Sequence, residues 1–205
     1  MADHEMLTDI DGPMLADAFP SEYRSSAISA GEAVAAALAP KQWTETFSVH
    51  AEGQSVLIPA RLHFASERLR LNEHDDAWRF AHALQTRSND GFERQRAARD
   101  LLLDLEPWGA PFIIALIGEY VVEILEDLFN ALTPDLERTL GAFIVENGAY
   151  WATTKRRVTS YWNEYYRSSR PGKLRRVYRR NEYVGFKLTD RLDLAAFGSA
   201  TTAGG

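Results

Sequence analysis

From Asp75 to Leu105 apolar residues recur every three or four positions, the period of a helix with one buried face. Two helices are predicted, within DDAWRFAHALQTR and DGFERQRAARDLLLDL, separated at Ser88-Asn89. Asp90 and Glu93 stand at the N-cap and N3 positions of the second, where a carboxylate accepts orphan amide protons. Ala98, Leu101, Leu102 and Leu105 form its apolar face. Glu106-Pro107-Trp108-Gly109-Ala110 is a break, and Pro111 suits the first turn of the next helix. Thr133-Pro134-Asp135 opens another: a cap, a proline at N1 and an acid at the positive helix end. Asn147-Gly148 interrupts that helix, AYWATTKRRVTSYWNEYYR resumes the period, and Arg170-Pro171-Gly172 ends the run. Upstream, Ser29 and Glu32 in SAGEAVAAAL have capping-box spacing and Pro40 marks a stop, so a short helix is expected there.

The stretch TETFSVHAEGQSVLIPARLHF changes the period to two. A two-residue turn at Glu52-Gly53 pairs Val49 with Val56 and Phe47 with Ile58, placing apolar groups on one face. Pro59 has no amide proton and puts this strand at an edge. A lone hairpin is marginal in water, so it needs helices or a third strand, for which EYVGFKL at 182–188 is the candidate.

The fold class is therefore mainly α: a compact antiparallel helical array, because the connections are short, with a small β-hairpin at 45–64. One helical domain over 25–193 is expected, flanked by an acidic disordered tail at 1–24 and a second disordered tail at 194–205. DGFERQRAARDLL, a loop and a more apolar helix together resemble one unit of a HEAT-type helical repeat, over about one fifth of the chain. No second copy follows at a fixed period.

PFIIALIGEYVVEILEDL, from Pro111 to Leu128, is the most apolar passage. A membrane span needs about 20 consecutive apolar residues. Here the uncharged run from Trp108 ends at Glu119, and Glu123, Glu126 and Asp127 follow. On one helix these four acids fall within an arc of about 100°, with Ile, Val and Leu covering most of the rest. The expectation is a continuous central helix, buried in water-soluble packing and wetted along one stripe. Glu119 and Glu123, one turn apart, are weak candidates for a metal site, but no Glu-x-x-His partner motif accompanies them. No cofactor is expected.

Composition changes the picture in two ways. The absence of cysteine excludes disulfides, thiolate metal sites and cysteine nucleophiles, and fits a reducing cytoplasm. The acidic start MADHEMLTDIDG is unlike an export signal, so a cytoplasmic location is expected. The net charge of −6 hides a split. Between Lys155 and Arg180 there are ten basic residues against one acid, while the rest of the chain has 13 basic and 28 acidic. Such asymmetry points to an anionic partner or to internal docking of a basic segment.

That segment, KRRVTSYWNEYYRSSRPGKLRRVYRR, combines cations with flat aromatic faces, the ingredients of a nucleic-acid surface. Trp151, Val158, Trp162 and Tyr165 have the steps of a core-facing stripe, which leaves Lys155, Arg156, Arg157, Tyr166, Arg175, Arg176, Arg179 and Arg180 as partner-binding candidates. Three readings stay open: pairing with Glu119, Glu123 and Glu126, contact with another protein or a second copy, and nucleic acid. The chain has no Gly-x-Ser-x-Gly elbow, phosphate-binding loop, dinucleotide fingerprint or zinc-type histidine spacing. The leading expectation is a non-enzymatic adaptor or assembly protein using the basic segment and the hairpin edge. The alternative is a nucleic-acid-binding protein, and no membrane partner is expected.

Overall fold

The computed structural model describes residues 4–65, 76–168 and 176–198. Most of them are helical, with one small antiparallel sheet. They fall into two compact units, Met1–Phe112 and Ile113–Gly205, where a single helical domain was expected.

The first unit starts with strand β1 (His4–Thr8), helix α1 (Gly12–Ala16) and a 3-10 turn at Ser21–Tyr23. Residues 4–24 are thus built in rather than a disordered tail. Asp11 caps α1 by accepting from the Met14 amide at 2.9 Å, and Pro13 sits in the first turn. Leu15, Ala16, Ala18 and Phe19 are buried, and it is this apolar content, hidden among acids, that outweighs the composition. Phe19 lies 5.0 Å from Phe80, 5.6 Å from Trp108 and 5.2 Å from Phe112, in the aromatic centre of this unit.

Helix α2 (Arg24–Ala37) begins five residues before Ser29, straight from the 3-10 turn and without a side-chain cap. The capping box expected at Ser29 therefore lies inside the helix. Its buried face is small, with Ala27, Ala30, Gly31 and Val34. The main chain of α1 rests directly on it: a Cβ on Gly31 would stand 2.4 Å from the Gly12 carbonyl oxygen.

Strands β2 (Trp43–Ala51) and β3 (Gln54–Pro59) form the hairpin in the expected register, Val49 opposite Val56 and Phe47 opposite Ile58. Glu52 and Gly53 have φ of +53° and +75°, the turn whose twist matches the strands. The sheet order is β1-β2-β3, so β3 with Pro59 is at the edge. That edge is partly covered: the Leu57 amide donates to the Asp17 carbonyl at 2.9 Å.

Helices α3 (Ala77–Gln85) and α4 (Gly91–Leu102) pack on each other. The HEAT-like pairing of α4 with the following apolar helix is not formed. Asp90 caps α4 as expected, accepting from the amides of Phe92 at 2.7 Å and Glu93 at 3.3 Å. The return arm of the capping box is relayed rather than direct. The Asp90 amide donates to Ser88 Oγ at 3.1 Å, and Ser88 Oγ donates to Glu93 Oε2 at 2.7 Å.

The continuous central helix is not formed either. Helix α5 (Ala110–Ile117) ends at Gly118, and helix α6 (Val122–Ala131) restarts after Val121, which is extended. Glu119 N–H closes a tight turn onto the Leu116 carbonyl at 3.0 Å. Gly118, Tyr120 and Val121 are weak helix formers, so little resists the break. The Tyr120 carbonyl, which a continuous helix would spend on residue 124, instead accepts from the Tyr166 hydroxyl. The apolar reading survives: every residue from Ala110 to Glu119 is buried. Among the described residues no helix is long and apolar enough to cross a membrane.

Helix α7 (Pro134–Glu146) is capped by Thr133, whose Oγ1 accepts from the Leu136 amide at 3.3 Å. Helix α8 (Gly148–Tyr161) follows the break at Asn147-Gly148 and runs into a π-helical turn at Trp162–Tyr166. The strand expected at 182–188 is not formed: helix α9 (Val184–Phe197) takes those residues, burying Val184, Leu188 and Leu192 at four-residue steps. It also includes 194–197 of the expected tail, and 199–205 lie outside the described residues. Helices α7 and α9 approach closely enough that a Cβ on Gly141 would stand 3.2 Å from the backbone of Ala195.

Candidate partner-binding face

All the candidate residues belong to the second unit, which has 13 basic and 11 acidic residues, whereas the first has 10 and 18. The charge split of the sequence therefore runs mainly within the second unit, whose residues outside 155–180 include 3 basic and 10 acidic side chains. Arg170, Pro171 and Gly172, the expected end of the run, and the candidate Arg175 lie outside the described residues.

Two of the candidates are structural. Lys155 is drawn into the seam between α8 and α9, where its Nζ donates to Asp193 Oδ1 at 3.1 Å and Oδ2 at 2.9 Å. The same carboxylate accepts from Trp151 Nε1 at 2.7 Å, and the ammonium lies 5.8 Å from the Trp151 ring centre. Tyr166, placed on the outer side by the sequence, is buried, while Tyr165 is only half-buried. The π turn supplies the reason. It inserts a residue into the helical spacing, so the inward position passes from 165 to 166.

The arginines face water. Arg156, Arg157, Arg176, Arg179 and Arg180 are exposed, as is Arg167, which the spacing had not singled out. Among the described residues none of these six forms an ion pair. Among the described residues none of these six arginines pairs with Glu119, Glu123 or Glu126. Several are instead held by neutral groups. Arg156 donates to Thr153 Oγ1 at 2.7 Å and Arg167 to Asn163 Oδ1 at 3.1 Å. Arg176 and Arg180 lie over the rings of Tyr178 and Phe186, at 5.0 and 4.4 Å from the ring centres. Such contacts fix a guanidinium without neutralising it.

One helical turn after Arg157 on α8, Tyr161 meets two other tyrosines. Tyr161 stacks on Tyr165 with ring centres 6.0 Å apart, and Tyr120 contacts both, at 5.8 and 5.4 Å. Tyr120 is 45% exposed and the other two are half-buried. The sequence gives no hint of this group, because Tyr120 reaches it only through the break between α5 and α6. Behind it opens a cleft of about 440 Å³, whose walls include Tyr120, Glu123, Glu126, Tyr166, Arg176 and Tyr178. Burial raises the Tyr178 hydroxyl above its ordinary pKa, and the carboxylates of Glu126 and Glu123 add to this against the opposing Arg176. Burial also raises Tyr183, whose ring stacks on Tyr166 at 5.2 Å.

The metal reading of Glu119 and Glu123 loses its geometry with the helix break. Glu119 is buried in the turn and Glu123 is exposed on α6, so they do not share a helical turn. Among the described residues no three His, Asp or Glu side chains are grouped to hold a metal ion. No family model matches the chain, and no curated protein or solved structure matches it either.

Proposed function

We propose that the chain is a non-enzymatic interaction or assembly protein whose second unit meets an acidic protein surface, on a partner or on another copy of itself. One observation supports this most: six arginines stand exposed and form no ion pair among the described residues, in the same unit as a half-exposed group of three tyrosines. Arginine and tyrosine are the residue types that dominate interface energetics, because they offer large area at low entropic cost. The hairpin edge contributes less than its sequence suggests, since Asp17 already occupies part of it. A cytoplasmic location belongs to this reading through the cysteine-free composition.

The test compares the wild-type chain with an Arg156→Glu/Arg157→Glu variant, by light scattering across concentration and by quantitative capture from lysate. Self-association, or a captured protein, that the variant loses supports the reading. A monomer whose captured set is unchanged by the charge reversal overturns it.

Nucleic acid is the second reading, favoured by the tyrosine group itself. Half-exposed rings, one of them a helical turn after Arg157, offer stacking faces to unpaired bases. Labelled single-stranded RNA and duplex DNA, titrated at rising salt, decide it. Binding that weakens steeply with salt and prefers the single strand supports this reading, and no binding at low salt removes it.

A further inference from the structure

The cleft behind the tyrosines has a chemistry opposite to the surface around it. Tyr166 and Tyr178 stand edge to face, with centres 5.8 Å apart and planes at 74°, so their rings form a corner. Glu123 and Glu126 on α6 supply two carboxylates to the same cavity. Aromatic faces backed by anions are the arrangement that holds an organic cation, since the ring quadrupole and the carboxylates act in the same direction. A volume of about 440 Å³ falls within the range of small-molecule sites.

A second observation shows that the Tyr178 side of the corner accepts a cation. The Arg176 guanidinium already lies 5.0 Å from the centre of the Tyr178 ring, although Arg176 is exposed and its side chain forms no ion pair among the described residues. It is a tethered occupant that can leave without opening the core. The influence of Glu126 and Glu123 on the Tyr178 hydroxyl places both carboxylates within electrostatic reach of the same ring.

We propose that this cleft binds an alkylammonium group on Tyr166 and Tyr178, with Glu123 and Glu126 as counter-charges, and that the ligand displaces Arg176. The proposal concerns a small cation and does not depend on which macromolecule meets the arginine face.

The experiment titrates the full chain with tetramethylammonium and with its uncharged isostere tert-butanol, following tyrosine ring resonances. Saturable shifts are expected with the cation and not with the alcohol. Arg176→Ala removes the competing guanidinium and should tighten binding about threefold to tenfold. Glu123→Gln/Glu126→Gln should abolish it. Arg176 is exposed, so its variant keeps the test decisive even where the double carboxylate variant fails to fold. Equal response to the two probes, no saturable shift in Arg176→Ala, or weaker binding in that variant overturns the proposal.

Discussion

The Tyr166 hydroxyl donates to the main-chain carbonyl of Tyr120, tying the π turn after α8 to the break between α5 and α6. Two irregularities far apart in sequence thus satisfy each other. The bond is part-buried, so water competes for it less than at an open surface.

Replacing Tyr166 by Phe keeps the buried ring and removes that bond. Urea denaturation should show a loss of about 0.5–1.5 kcal/mol, the usual net worth of a hydrogen bond. Tyr161→Phe, at a half-exposed position, should stay within about 0.5 kcal/mol of wild type. Equal effects would mean that the link carries no weight.

Asp193 serves Lys155 and Trp151 at once. Asp193→Ala leaves the Trp151 N–H, in a side chain 2% exposed, without its acceptor, and should cost about 1–3 kcal/mol. Asp193→Asn retains an oxygen for Trp151 and loses only the half-exposed ion pair, so its cost should stay below about 1 kcal/mol. Thermal unfolding of the two variants side by side checks the order.

Ser88 is the relay of the α4 cap and is fully buried. Ser88→Ala deprives the Asp90 amide of its acceptor and Glu93 of its donor. A cost of about 1–2 kcal/mol is expected, with hydrogen exchange faster in the first turn of α4. An unchanged exchange pattern would show that the direct cap by Asp90 suffices.

Glu52 carries two penalties. Its φ of +53° disfavours any side chain that is not Gly, Asn or Asp. Although Glu52 is exposed, partial desolvation with Glu22 and Glu106 raises its pKa against a hydrogen bond from Tyr23. A carboxyl raised in the folded state destabilises it when ionised, and that cost fades as pH falls through the folded pKa. Glu52→Asn removes the charge and suits the turn, so a gain of about 0.5–1 kcal/mol is expected at neutral pH. The electrostatic part should vanish near pH 4, at the ordinary glutamate pKa of about 4.3, while the turn part persists. A gain that is flat with pH would assign the whole effect to backbone geometry.

Where local chemistry decides an outcome, the chain can be read directly. Val49 opposite Val56, the Asp90 and Thr133 caps and the stop at Asn147-Gly148 each follow from neighbouring residues. Three features could not be read that way. The break at 118–121 depends on a hydroxyl from residue 166, and the inward turn of Tyr166 depends on a single inserted residue in the helix. EYVGFKL fits both periods over its seven residues, and only the continuation through Leu192 favours a helix. Exposure of the arginines was likewise beyond composition, because it depends on where the carboxylates of α6 point.

Gly12 and Gly31 touch through bare main chain, leaving room for hydrogen alone at either position. Residues 4–24 are therefore a wall of the first unit, whatever their acidity suggests. Trimming the chain to residue 25 would pull Phe19 out of its ring cluster and open the alanine face of α2 to solvent, yielding a shorter but poorer specimen.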